Sequence, residues 1–172
     1  MLRSLADSSP SRNSRYTKLG TNDAKPAYPT LEIFMTATIA PQIDHIAALL
    51  AKQGYDVSQK GPGILDVREV RSGISIQAVL EGDIMFFTLP CMTVTEDKLT
   101  PDLMKKMLAG ENGISTSYFQ LYDAPDGAVT IALNNFCKLF DLGAEDEDDL
   151  LSCVHFLLVD VIAARDLLGA AK

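Results

Sequence analysis

Apolar residues first recur at helical spacing at Ile43, Ile46, Ala47, Leu50 and Ala51, and Gly54 closes the run. Thr38–Pro41 reads as the start of that helix, since proline is tolerated in a first turn. A different period follows. Ile64–Arg71 is strand-like and ends at Ser72-Gly73. Ile74, Ile76, Ala78 and Leu80 then alternate with Ser75, Gln77, Val79 and Glu81, the pattern of a half-buried strand. Gly82-Asp83 turns the chain into a third strand, Ile84–Leu89, which Pro90 is expected to end. Strands joined by connections this short must be antiparallel neighbours.

Thr100-Pro101-Asp102 predicts a second helix: a capping hydroxyl, a proline in the first position and an acid at the positive end of the helix dipole. Its apolar residues are Leu103, Met104, Met107 and Leu108, and it should stop by Gly110. Two further strands, Ser117–Tyr122 and Ala128–Asn134, flank the hairpin signal Ala124-Pro125-Asp126-Gly127. The acids Glu145–Asp149 precede a long apolar-periodic helix, Leu150 through Leu168, capped by Gly169. Its inward face is expected to carry Leu151, Val154, Leu158 and Val161. The predicted order is α-β-β-β-α-β-β-α: an α+β fold with an antiparallel sheet of about five strands and helices packed on it.

Composition adds a division of the chain. Residues 1–29 are rich in Ser, Asn, Pro, Arg and Gly without apolar period and read as a flexible basic tail; residues 30–172 read as a single domain. Over residues 1–30, five basic residues stand against two acidic ones, so the remainder carries −11 of the net −8. A body this acidic repels phosphate backbones and anionic lipid, which argues against nucleic acid as a partner. No stretch approaches the ~20 apolar residues of a membrane helix, so no membrane insertion is expected. Cys91, Cys137 and Cys153 are odd in number and widely spaced, which suits a reducing compartment and buried thiols better than a disulfide framework or a zinc site, with the cytoplasm as the expected setting.

Constellations that could carry chemistry are few. Cys153 and His155 stand two apart on a helix and face different ways, so they cannot share one metal ion; His155 and His45 both read as solvated or hydrogen-bonded histidines. Glu145–Asp149 lacks the alternate spacing and glycine turn of a calcium loop and reads as a solvated helix start. Gly61-Pro62-Gly63 has no lysine or following helix and is a turn rather than a phosphate cradle. The carboxylates Asp66 with Glu69, and Glu81 with Asp83, lie around turns and read as ordinary surface charges. No catalytic residue, cofactor or metal ligand is assigned. Met85, Met92, Met104 and Met107 cluster with Phe86 and Phe87 around the third strand and second helix. Methionine adapts to varied partners, so these six are the candidate partner-binding residues; filling the core is the competing role.

The stretch Gly73–Leu89, then Leu103–Gly110, the hairpin Ser117–Asn134 and the final helix Asp148–Leu168 together resemble the YbjN-like proteins of the type III secretion chaperone-like fold. The phrase FQLYDAPDGAVTIAL before a long acidic-started helix carries most of the resemblance, which spans residues 40–168. It implies a small cytoplasmic bacterial protein, often a homodimer, with a chaperone-like or stress-linked regulatory role. The expectation is therefore a non-catalytic domain that binds a protein client or regulatory partner. The alternative is a small-ligand binder or enzyme whose pocket gathers residues distant in sequence.

Overall fold

The computed structural model describes residues 42–169. The predicted tail, and the helix start at Thr38–Pro41, lie outside the described residues. Helix α1 (Ile43–Lys52) leads into four strands, β1 (Asp56–Gly61), β2 (Ile64–Arg68), β3 (Ser75–Glu81) and β4 (Ile84–Thr95). Helix α2 (Pro101–Leu108) follows, then β5 (Tyr118–Asp123), β6 (Ala128–Lys138) and helix α3 (Ala144–Gly169). The strands form one antiparallel sheet in the order β1-β2-β3-β4-β6-β5. The expected class holds, with one strand more than predicted.

The missed strand is β1, DVSQKG. It lies at the sheet edge and buries little beyond part of Val57, which sits opposite Val67. A strand wet on nearly every side leaves no alternation to detect. Pro90 does not end β4 either. Pairing with β3 stops at Gln77–Thr88, and the next irregularity in the ladder with β6, between Pro90 and Met92, is a bulge at Cys91. Proline is tolerated at an unpaired edge or a bulge, and Pro90 has both. The bulge also switches the parity of β4: Met85, Phe87 and Leu89 face the helices before it, and Met92 and Val94 after it.

Alternation puts Leu65, Val67, Ile76, Ala78, Met85, Phe87, Leu89, Leu133 and Cys137 on one face, where α1 and α3 cover them. Fully burying a side chain such as Phe87 or Leu133 stabilises by roughly 1.5–3 kcal/mol. A smaller cluster, Leu103, Met107, Ile131 and Leu168, seats α2 at the far end. The Thr100 hydroxyl caps α2 as predicted, accepting from Leu103 N–H at 3.2 Å. The inward face of α3 differs from expectation. Leu150, Val154, Leu157, Val161, Ala164 and Leu168 are buried, while Leu151 and Leu158 are half-buried. The helix carries leucine doublets at 150/151, 157/158 and 167/168, and each choice keeps a helical period, so the period alone cannot select the buried member.

Two carboxylates of α3 are also buried. Asp146, expected in a solvated run, is only 4% exposed; it accepts N–H bonds from Phe140, Asp141 and Leu142 at 2.7–2.9 Å. Asp160 is 1% exposed and accepts from Ser115 N–H at 3.0 Å, the Ser115 hydroxyl at 2.8 Å and Ser117 N–H at 3.2 Å. Burial pushes its carboxyl up, but these bonds outweigh burial and hold it below the ordinary value. Asp160 thus anchors the segment that enters β5.

Candidate functional site

The three helices of the described residues lie against one face of the sheet, and the side chains of opposite parity face away from them: Gln77 and Val79 on β3, Phe86 and Thr88 on β4, Asn134 and Phe136 on β6, and Tyr118, Gln120 and Tyr122 on β5. All of these but Phe136 line an open hollow of about 450 Å³. A smaller hollow of about 220 Å³, sharing Gln77, Thr88 and Tyr122, adjoins it toward Thr130.

The floor of the hollow is polar and already satisfied. Asn134 is 3% exposed, and its Oδ1 accepts from Thr88 Oγ1 at 2.6 Å and from the Tyr122 hydroxyl at 3.1 Å. Its Nδ2 donates to Gln120 Oε1 at 3.0 Å. A network this complete fixes its members' rotamers and holds the neighbouring rings in place. Aromatic groups flank it. Phe86 and Phe136 lie with ring centroids 6.2 Å apart, and Phe136 is 54% exposed. Tyr118 and Tyr122 are also exposed. Apolar rings standing in water beside amides and hydroxyls offer stacking and hydrogen bonding together, the chemistry of a surface that receives another chain.

The same rings border an open sheet edge. Ala124 N–H bonds the Ala128 carbonyl at 2.8 Å, and alternation along the ladder makes Tyr118, Gln120 and Tyr122 the residues that bond β6. Phe119, Leu121 and Asp123 therefore turn their main-chain groups away from the sheet. An extended segment could add there as a strand and lay alternate side chains beside Tyr118 and Tyr122.

The six residues singled out from the sequence do not share one surface. Met85 and Phe87 are fully buried beneath the helices, and Met107 is buried in the small cluster with Met92 packed against it. Met104 stands on the outer side of α2, 36% exposed. Phe86 alone reaches the open face. Sequence reasoning missed Tyr118, Tyr122, Asn134 and Phe136. The available signal was the run YFQLYD, whose two parities are both apolar or aromatic, more than one covered face requires. Among the described residues no three His, Cys, Asp or Glu side chains gather as a metal site, and no helix is long and apolar enough to cross a membrane.

Neither a family model nor a curated protein matches the chain. Among solved structures, the crystal structure of YbjN from E. coli, described as a candidate transcription regulator, matches with a TM-score of 0.55. The match has 14% sequence identity and covers 76% of this chain and 91% of that one. Identity this low carries the fold and nothing finer, so the chain is a remote structural relative of YbjN.

Proposed function

We propose that this chain is a non-catalytic adaptor, chaperone-like or regulatory, that captures an extended segment of a protein partner along β5 and the open face. The observation that carries this reading is the pairing of two features: an aromatic edge strand with no charge before its last residue, Asp123, and an aromatic face, clear of the helices, that continues it. The added strand would draw affinity from main-chain bonds to Phe119 and Leu121, and specificity from the side chains it places near Tyr118, Tyr122 and Phe136. A hollow open along its length suits a chain better than a small molecule, which needs enclosure on most sides. The net charge of −8 favours a neutral or basic segment.

The test uses proline as an edge blocker. Leu121→Pro removes an N–H that β6 does not use, so the fold should survive while strand addition fails. Partners captured by the full-length protein, crosslinked and mapped to β5, should be lost with this variant. Retention of the same partners by a folded Leu121→Pro protein would refute the reading.

A further inference from the structure

Beyond the point where β5 stops, opposite Asn134, β6 runs on to Lys138 without a neighbour on that side among the described residues. A cleft of about 410 Å³ opens there between β6 and α3. Phe136, Phe140 and Phe156 form much of its wall, with Asp149 and Ser152 at the helix side. Two thiols also line it: Cys137, from the helix-facing parity of β6, and Cys153, from the buried side of α3. Both are free and nearly buried, and they border the same cleft. The pair is asymmetric. The neighbouring Cys153 pushes the Cys137 thiol up, with burial and the Asp149 and Asp146 carboxylates adding to it. Cys137 in turn holds Cys153 below the ordinary thiol value, against burial and Asp149.

Two free thiols bordering one open cleft differ from isolated core cysteines, which are inert because nothing reaches them and no second thiol is near. We propose that Cys137 and Cys153 form an oxidation site for hydroperoxides, closing to a disulfide that ties β6 to α3. Cys153 thiolate attacks one peroxide oxygen and the O–O bond breaks, leaving Cys153 as the sulfenic acid; the other oxygen takes a proton and departs as water or an alcohol. Cys137 sulfur then displaces hydroxide from the Cys153 sulfur, and that hydroxide leaves as water with the proton Cys137 gives up. Two thiols are oxidised by two electrons in total, and one peroxide is reduced by two. The bond pins the end of β6 that carries Phe136 of the open face.

Cys91 supplies the internal control. It sits at the β4 bulge, its thiol directed to the Leu89 carbonyl at 3.6 Å, and burial pushes it up. Reduced full-length protein is treated with hydrogen peroxide, quenched with catalase, unfolded in iodoacetamide and mapped by mass spectrometry. The expected result is an intramolecular Cys137–Cys153 linkage, reversed by dithiothreitol, with Cys153 oxidised roughly tenfold faster than Cys91. In Cys137→Ser, dimedone should trap the sulfenic acid on Cys153. Alkylation of all three cysteines, a linkage between chains, or equal oxidation of Cys91 in the wild-type protein would each overturn the proposal, whether or not the variant folds.

Discussion

The sheet ends in two strands of equal length, β1 and β5, each six residues long and, among the described residues, each paired on one side only. β1 carries Asp56 and Lys60, a register shift between Gln59 and Gly61, and an ion pair from Lys60 to Asp66 at 3.8 Å. β5 carries two tyrosines, a phenylalanine and a leucine, with no charge until Asp123. Charges and bulges are the usual protection against strand addition at an edge, because a partner strand would have to desolvate the charge or match the irregularity. One edge of this sheet is defended and the other is not. Position in the sheet does not explain that, since both strands are terminal. The difference follows what lies beside each edge: beside β5 the open face presents Phe136 and the Asn134 network, and beside β1 it presents Asp66 and Arg68.

The largest expected effect comes from comparing the two main-chain sides of β5. Gln120→Pro removes an N–H that bonds β6, and its side chain also holds Asn134, so it should destabilise by about 3 kcal/mol or more. Leu121→Pro, one residue on, should cost far less by thermal melting. Equal costs would mean the inner and outer sides of β5 are misassigned.

Next in size is the anchor that presents β5. Asp160→Asn deprives the Ser115 and Ser117 donors of a charged acceptor and should cost about 2 kcal/mol in denaturant unfolding. The sign of its pH dependence is set by its lowered folded value. Its contribution is complete above the unfolded carboxylate value near 3.8 and is lost as pH falls through the lower folded value. Protection of the Ser115 and Ser117 amides, measured against their intrinsic exchange rates at each pH, should therefore fall in acid in the wild-type protein, and Asp160→Asn should lose that acid response.

A smaller effect addresses binding. Tyr118→Lys, on the same face but outside the Asn134 network, should weaken partner capture about tenfold, a loss of about 1.4 kcal/mol, with little change in melting. Ser58→Lys on β1 should leave capture unchanged; a comparable loss there would end the distinction between the edges. The smallest effect belongs to the exposed pair on β1. Lys60→Ala should change stability by less than about 0.5 kcal/mol, because both partners are solvated and their attraction is screened.

Element type was legible wherever a local physical rule acts strongly. The cap at Thr100, the turn at Ala124–Gly127 and the period of α3 depend on neighbours a few residues away, and each element formed where predicted. Element boundaries were less legible. Pro90 reads as a stop until the end of the β3 ladder shows that its missing N–H has no partner to lose. β6 continues past Asn134 to Lys138, and α3 begins at Ala144 with the acids inside it, because Asp146 has the N–H groups of Phe140, Asp141 and Leu142 to receive. The candidate site was the least legible part. Met85 and Phe86 are adjacent in sequence yet face opposite sides of the sheet, so a cluster counted along the chain mixes core and surface.

By itself, then, the sequence determined an α+β protein with antiparallel hairpins, an acidic body and three free-standing cysteines. Those properties come from local periods, turn chemistry and composition. Only the tertiary structure decided which sheet face the helices cover, which edge stays bare, which member of each leucine doublet turns inward, and that Cys137 meets Cys153. In β4 and β6 both parities carry apolar side chains, so burial could satisfy either; the choice fell to contacts between residues far apart in the chain, where local periodicity carries no information.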